Sequence, residues 1–194
     1  READSYVTVA GQTSPGGIQL KNFGILMYEG MHDAIIRHLR LRVGTFDSWP
    51  AGSGEAGPFQ IWRSYNNRPV YNIIIDHADL YWGIAKNFVT AGAVTDITLQ
   101  WSILAEGTNT GHYYGTPHND AILLDNGNGT RVNLHHNLLF DHEYRNPQNK
   151  RGISDFRNNY IYSWRGNNYA YVSNVENNGQ VTWINFVKNV YKRG

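Results

Sequence analysis

The sequence predicts an all-β solenoid of the parallel β-helix kind, on three observations. Six stretches share one internal spelling, a polar and aromatic column recurs at the same place in each, and turn-rich insertions separate them. Ala34, Ile73, Ile97, Val132, Ser154 and Ile184 open the stretches. Two residues on stand Ile36, Ile75, Leu99, Leu134, Phe156 and Phe186; seven on stand Leu41, Leu80, Leu104, Leu139, Ile161 and Tyr191. A period of two marks a strand, and the break in register before the seventh position marks a tight bend and a second strand. The stretches start 22 to 39 residues apart. The short spacing is one coil, and longer ones are coils carrying loops.

Each stretch is read in the same order. The third position carries Arg37, Asp76, Gln100, His135, Arg157 and Val187. These alternate with the core residues and so line the outside of one sheet, about 4.8 Å apart from coil to coil. Arginine, carboxylate, amide and imidazole at that spacing suit a sugar polymer with repeating hydroxyls and carboxylates; a merely solvated polar face has the same composition. The fourth position carries His38, His77, Trp101, His136, Asn158 and Lys188, and the fifth ends in Asn137, Asn159 and Asn189. Asparagine tolerates bend conformations, and stacked amides hydrogen-bond along a ladder. This column therefore predicts a structural bend.

Three segments break the spelling. Residues 45–58 hold Pro50, Gly52, Gly54, Gly57 and Pro58; residues 108–119 are rich in aromatic and turn residues; residues 141–152 are the most charged stretch. In a solenoid, long insertions gather on one side and build a binding face. Function is expected in the second and third of these loops and the sheet they overhang. Tyr81, Trp82, Tyr113 and Tyr114 are candidates to stack on sugar rings.

A chain of 194 residues with 20 glycines, 13% aromatics and no cysteine fits one domain of strands with tight corners. The absence of cysteine excludes disulfides and thiolate metal sites. A net charge of +1 gives no electrostatic case for nucleic acid or an acidic membrane. No run of about 18 apolar residues predicts a membrane span. Arg1-Glu2-Ala3-Asp4 does not read as a signal peptide. Asn128-Gly129-Thr130 spells a glycosylation triplet, and Asn-Gly is equally a turn.

Asp76 and Asp79 are candidate ligands for calcium, which takes carboxylate oxygens. Arg37 and Arg40 precede them by one coil in their columns, so ladder ion pairs compete with the metal. Among the eight histidines, His135 and His136 point to opposite sides of a strand, and the bend column accounts for His38, His77 and His136; zinc is not expected. Arg145, Lys150 and Arg151 form a basic cluster around Pro147 in what reads as an exposed loop. A protonated arginine is an awkward general base but is suited to neutralising a carboxylate or a developing enolate.

Val7-Thr8-Val9-Ala10-Gly11-Gln12-Thr13-Ser14-Pro15-Gly16-Gly17-Ile18 resembles the VTIAGQTAPG-GI stretch of pectate lyase-like proteins. So do Ile35-Ile36-Arg37-His38-Leu39-Arg40, Ile74-Ile75-Asp76-His77, Tyr81-Trp82-Gly83 and Gln100-Trp101-Ser102-Ile103-Leu104-Ala105-Glu106-Gly107. His135-His136-Asn137-Leu138-Leu139, Arg145-Asn146-Pro147 and Asp155-Phe156-Arg157-Asn158-Asn159 follow in the same order. The likeness implies a right-handed parallel β-helix. It also implies secreted enzymes that cleave polygalacturonate by β-elimination, with calcium as the usual cofactor and an acidic polysaccharide as partner. By position Arg145 matches the family's base in its R-x-P-x-x-R pattern, and Lys150, with Arg151 beside it, stands for the second arginine.

The chain departs from the family in two respects. Where relatives read SWGTDE, it reads Tyr81-Trp82-Gly83-Ile84-Ala85-Lys86, and where they place GDA, it has Gly57-Pro58-Phe59-Gln60. It also reads as one domain over residues 1–194 without the N-terminal cap and first coils of longer relatives. Uncapped coils would expose strand edges that invite end-to-end self-association. Three functions are therefore expected: a secreted uronate lyase, with Arg145 as base or charge stabiliser; a β-helix that binds polymer without cleaving it; or a structural unit that stacks into a filament.

Overall fold

The computed structural model describes residues 5–44, 57–62, 68–108, 119–127, 129–165, 172–173 and 182–194. Its strands wind through three sheets. The first sheet takes β1 (Val7–Ala10), β4 (His32–Arg37), β7 (Val70–Asp76), β10 (Val94–Gln100), β13 (Arg131–His135), the second half of β15 (Gln148–Arg157) and β18 (Thr182–Val187). The second takes β2 (Ile18–Lys21), β5 (Leu39–Arg42), β8 (Asp79–Tyr81), β11 (Ile103–Ala105), β14 (Leu138–Phe140), β16 (Tyr160–Tyr162) and β19 (Val190–Lys192). The third takes β3 (Ile25–Met27), β6 (Phe59–Trp62), β9 (Lys86–Gly92), β12 (Asp120–Asn126), the first half of β15 and β17 (Val172–Ser173). Neighbouring coils pair in parallel throughout, which is a parallel β-helix.

The repeat read from the sequence is the register of the coils. Ala34 pairs with Ile73, Ile73 with Ile97, Ile97 with Val132, Val132 with Ser154 and Ser154 with Ile184. Ile36, Ile75, Leu99, Leu134, Phe156 and Phe186 follow two residues later, and Val7 adds an earlier rung beside Ala34. In the second sheet Leu41, Leu80, Leu104, Leu139, Ile161 and Tyr191 stack likewise, above Leu20. Ile75, Leu99, Leu134, Leu80 and Leu104 are wholly inaccessible to solvent. Each such side chain contributes about 1.5–3 kcal/mol by leaving water.

The corners have a common device. His38, His77, Trp101, His136, Asn158 and Lys188 all adopt positive φ, between 49° and 57°. Left-handed backbone costs a non-glycine residue roughly 1–2 kcal/mol. It is held here because the turned residue keeps its N–H in the ladder: His38 N donates to Asp76 O at 3.1 Å and Asn158 N to Val187 O at 3.0 Å. The same conformation recurs within β4, β7 and β10 at Asp33, Asn72 and Asp96, and at a further corner at Trp82, Glu106, Asp141 and Ser163. Inside the first bend, Asn137 N donates to Asn159 Oδ1 and Asn159 N to Asn189 Oδ1, both at 3.0 Å. The predicted amide ladder is present, and Ser102 extends it upstream through Asn137 Oδ1.

Two expectations need correction. A coil has three strands rather than two. The third sheet escaped the repeat because β9 is buried on both sides from Lys86 to Thr90, which hides its period of two. Residues 141–152 are not an exposed loop either. Gln148 to Gly152 form the first half of β15, and His142, Asn146, Gln148 and Asn149 are buried. Most of the insertions at 45–58 and 108–119, with Tyr113, Tyr114 and Asn128, lie outside the described residues.

Candidate functional site

The polar strip on the first sheet is assembled as expected, with Arg37, Asp76, Gln100, His135 and Arg157 in lateral register. Its members are largely committed to one another. Asp76 accepts from Arg37 Nη2 at 2.9 Å and Gln100 Nε2 at 3.0 Å, and lies 2.8 Å from His77 Nδ1. Burial opposes charge on Asp76, but hydrogen bonds from Gln100 and His77 and the charges of His77 and Arg37 outweigh it, so its pKa is lowered. Arg157 pairs with Asp155. Burial, then the charges of His136 and Arg157, push the His135 pKa down. Asp79 meets Arg42 at 3.5 Å and Arg40 at 3.9 Å. Of the aromatic candidates, Tyr81 is covered by the Arg42 guanidinium, 4.0 Å from its ring centre, and Trp82 donates Nε1 to Glu106.

Arg145, Lys150 and Arg151 lie elsewhere, Arg145 just before β15 and Lys150 and Arg151 in its first half on the third sheet. Arg145 has a φ of 58°, a conformation that persists in a bulky residue only when its surroundings enforce it. They do: Tyr144 bridges Asp120, Ala121 N donates to Tyr144 O at 3.1 Å, and Ile122 N donates to Arg145 O at 2.9 Å. Tyr191 Oη donates to Asn146 O at 2.6 Å from the final rung. Arg145 Nη1 then sits 2.8 Å from Asp120 Oδ2, whose residue is 2% exposed.

The next contact depends on a bulge. Leu123 and Leu124 pair with Gln148 and Asn149, but Asp125 pairs with Arg151, so Lys150 is an extra residue in β15. A bulge re-aims side chains. Here it lets Arg151 pair with the Asp125 carboxylate while Lys150 Nζ stands 3.8 Å from it. Beside these charges, Asn146 Nδ2, Gln148 Oε1 and Asn149 Oδ1 are buried without a hydrogen-bond partner among the described residues. Buried amides left so are suited to a ligand hydroxyl or an ordered water. Sequence reasoning places Asp120 and Asp125 in loops with no way to bring them to a site, whereas both stand on β12, and it missed Asn146, Gln148 and Asn149. A signal existed in the spacing of Asp120 and Asp125, which nearly matches that of Arg145 and Arg151 one coil later.

The polar strip and the basic cluster are separate. Arg151 and Arg157 stand six positions apart in β15, about 20 Å of strand, and their outer faces belong to different sheets. The single binding face expected from the sequence is two patches.

Among the described residues neither patch groups carboxylates for calcium. The ion takes about six to eight oxygens, several from carboxylates. Asp76, Asp79, Asp120 and Asp125 are each held by arginine or lysine and are not grouped with one another. Among the described residues the cluster able to hold a metal is His38, Asp76 and His77, without Asp79. The His38 and His77 rings stack with centres 4.8 Å apart and 27° between planes.

Lys86 stands beside the basic cluster. Gly83 makes the turn that leads into it; a Cβ there would lie 2.5 Å from Lys86 O. β9 then begins at Lys86 in register with Asp120, and Lys86 is 4% exposed.

No family model matches the chain. Curated relatives do. A probable pectate lyase C of Neosartorya fischeri is 32% identical over 189 residues, 97% of this chain and 39% of the relative. Probable pectate lyases C of Aspergillus terreus and Emericella nidulans are each 34% identical over 161 residues, 82% of this chain and 33% of theirs. The chain thus spans between a third and two fifths of the length of these relatives. A coil register that reproduces the family's motif order, and a likeness that runs through most of the chain, place this protein in the pectate lyase-like family of parallel β-helices.

Proposed function

We propose that the third-sheet patch is the cleavage site of a secreted polysaccharide lyase acting on a uronate polymer such as polygalacturonate. The observation that carries this reading is Arg145, held in left-handed backbone and braced on Asp120, with Lys150 and Arg151 further along the same segment. β-Elimination needs the charge of a uronate carboxylate neutralised, which acidifies the neighbouring C5 proton. The electron pair left when that proton departs forms the C4–C5 double bond as the C4–O bond breaks, and the leaving oxygen takes up a proton. Lys150 and Arg151 hold the carboxylate. Arg145 faces the C5 position, as proton acceptor or as the charge that steadies the carbanion, and the pH dependence of kcat separates these two roles.

The test is the ultraviolet absorbance of the unsaturated product when the protein is incubated with polygalacturonate. Arg145→Ala is expected to lower kcat on the order of 100-fold or more, with the β-sheet circular dichroism intact. Unchanged turnover in that variant overturns the assignment. A second reading, polymer binding without cleavage, is favoured by the commitment of Arg145 to Asp120. It predicts retention of polygalacturonate with no product.

A further inference from the structure

A groove runs along the outside of the first bend, at a different corner of the coils from Arg145. One wall is the bend column, in which His38, His77, Trp101 and His136 stack ring upon ring. Centres are 4.8 Å apart for His38 and His77, 6.5 Å for His77 and Trp101, and 4.3 Å for Trp101 and His136. The floor is the outer face of the second sheet, where Arg40, Asp79 and Ile103 follow one another in lateral register. The turn at Gly16 and Gly17 stands at one end, and Arg40 Nη1 donates to Gly16 O at 3.1 Å. The groove has a volume of about 560 Å³, which is ordinary for a small-ligand site. It crosses successive coils from Gly17 to Ile103, about 14 Å at the spacing of paired strands.

Trp101 is the anomaly of the column. Left-handed bend positions favour small polar residues, yet the indole is held at a φ of 49°. Strain kept in a bulky residue points to a use for it. Trp101 is also 53% exposed, although a ring lies on either side. His136 covers one face closely. The 6.5 Å to His77, at 20° between planes, is longer than the coil spacing of about 4.8 Å, so the indole is offset and overhangs the imidazole. The overhanging part of that face opens onto the groove beside Ile103. Next to this apolar ledge stand polar groups that can still bond. Asp79 meets Arg42 at 3.5 Å and Arg40 at 3.9 Å, longer than the hydrogen bond's usual distance of about 2.9 Å. Arg40 itself is half exposed. Guanidinium and carboxylate offer donors and acceptors to hydroxyl groups, and their charges offset each other, so the floor does not select an anion.

We propose that this groove is a second saccharide site, which takes an uncharged oligosaccharide with the C–H face of one sugar ring on Trp101 and its hydroxyls hydrogen-bonded to Arg40 and Asp79. The site is independent of the uronate reading, since it uses other residues at another corner and stands whether or not polygalacturonate is cleaved.

The experiment uses the whole chain. Uncharged pentasaccharides of β-1,4-linked glucose, xylose, mannose and galactose are titrated by calorimetry, with pentagalacturonate as the charged counterpart. The indole is followed by fluorine NMR of fluorotryptophan-labelled protein, its resonance assigned with Trp101→Phe. At least one uncharged pentasaccharide should bind saturably at millimolar concentration or below, shift the Trp101 resonance, and bind equally at low and high sodium chloride. Trp101→Asn, which keeps a residue suited to the bend, should weaken that affinity about tenfold or more. Arg40→Ala, at an exposed position, should do the same and decides the matter if the first variant does not fold. Pentagalacturonate affinity should be unchanged in both variants, so that loss of the uronate reading and loss of this one are separate results. The proposal is overturned if none of the uncharged pentasaccharides binds, if binding leaves the Trp101 resonance unmoved, or if folded Trp101→Asn protein keeps its affinity. Tighter binding of pentagalacturonate than of every uncharged chain, abolished by Trp101→Asn, also overturns it.

Discussion

His142 is buried at the entry to the third sheet, where Asn87 Nδ2 donates to its Nε2 at 3.0 Å. Since Nε2 accepts, the ring proton belongs on Nδ1. Burial pushes its pKa down from 6.5 to about 3. The folded ring stays neutral where the unfolded one protonates, so the unfolded state binds the extra proton. Stability is therefore full above pH 6.5 and falls as pH drops from 6.5 towards 3. The slope from this residue is about 1.4 kcal/mol per pH unit. Urea unfolding from pH 7 to 4 should show the loss, and His142→Gln should flatten it. Asp76, whose folded pKa is lowered from 3.8, adds its own loss only below that value, in both proteins. Neither role was legible in the sequence, because burial of one histidine among eight depends on which coil lies beside it.

Among the elements, the bend after the first sheet has the most determinate chemistry. Asn137 Oδ1 accepts from Ser102 N at 3.0 Å, while its Nδ2 donates to Leu99 O at 2.9 Å and to Asn159 Oδ1 at 3.1 Å. Asn137→Ala leaves a buried N–H and a buried carbonyl short of a partner, at a cost of about 2–4 kcal/mol. Chemical denaturation should show that loss, and Asn189→Ala, whose hydrogen bonds are only partly buried, should cost less. This bend was readable from sequence because its side chains are its hydrogen bonds. A column of Asn137, Asn159 and Asn189 at one fixed offset spells out the amide ladder directly. The third sheet was not readable. Val89 and Leu123 on its outer face are as apolar as Phe88 and Ile122 on its inner one, and alternation disappears when both sides are covered.

Across the whole molecule, charge is close to balanced, at +1 for 194 residues, yet it is concentrated by the winding of the coils. On the third sheet Arg145 pairs with Asp120 and Arg151 with Asp125, as on the first Arg37 pairs with Asp76 and Arg157 with Asp155. Binding that rests on such charges is screened by salt over about 10 Å at 0.1 M. Oligogalacturonate affinity should fall as sodium chloride is raised from low to moderate concentration, and Arg37→Ala on the first sheet should leave it unaltered. A salt-independent affinity, or an equal loss in Arg37→Ala, would place the ligand elsewhere.

The sequence by itself determined the solenoid and its lateral register, since apolar side chains every second residue and bend-tolerant residues at a fixed offset admit one way of stacking. It also singled out Arg145, Lys150 and Arg151 as candidates for one site. Only the tertiary structure decided which carboxylate meets which cation. Asp120 and Arg145, or Asp125 and Arg151, belong to successive coils separated by a loop, and a single extra residue at Lys150 shifts the pairing. The physical reason is that contacts between coils depend on the length of every insertion between them, which no local pattern of residues encodes.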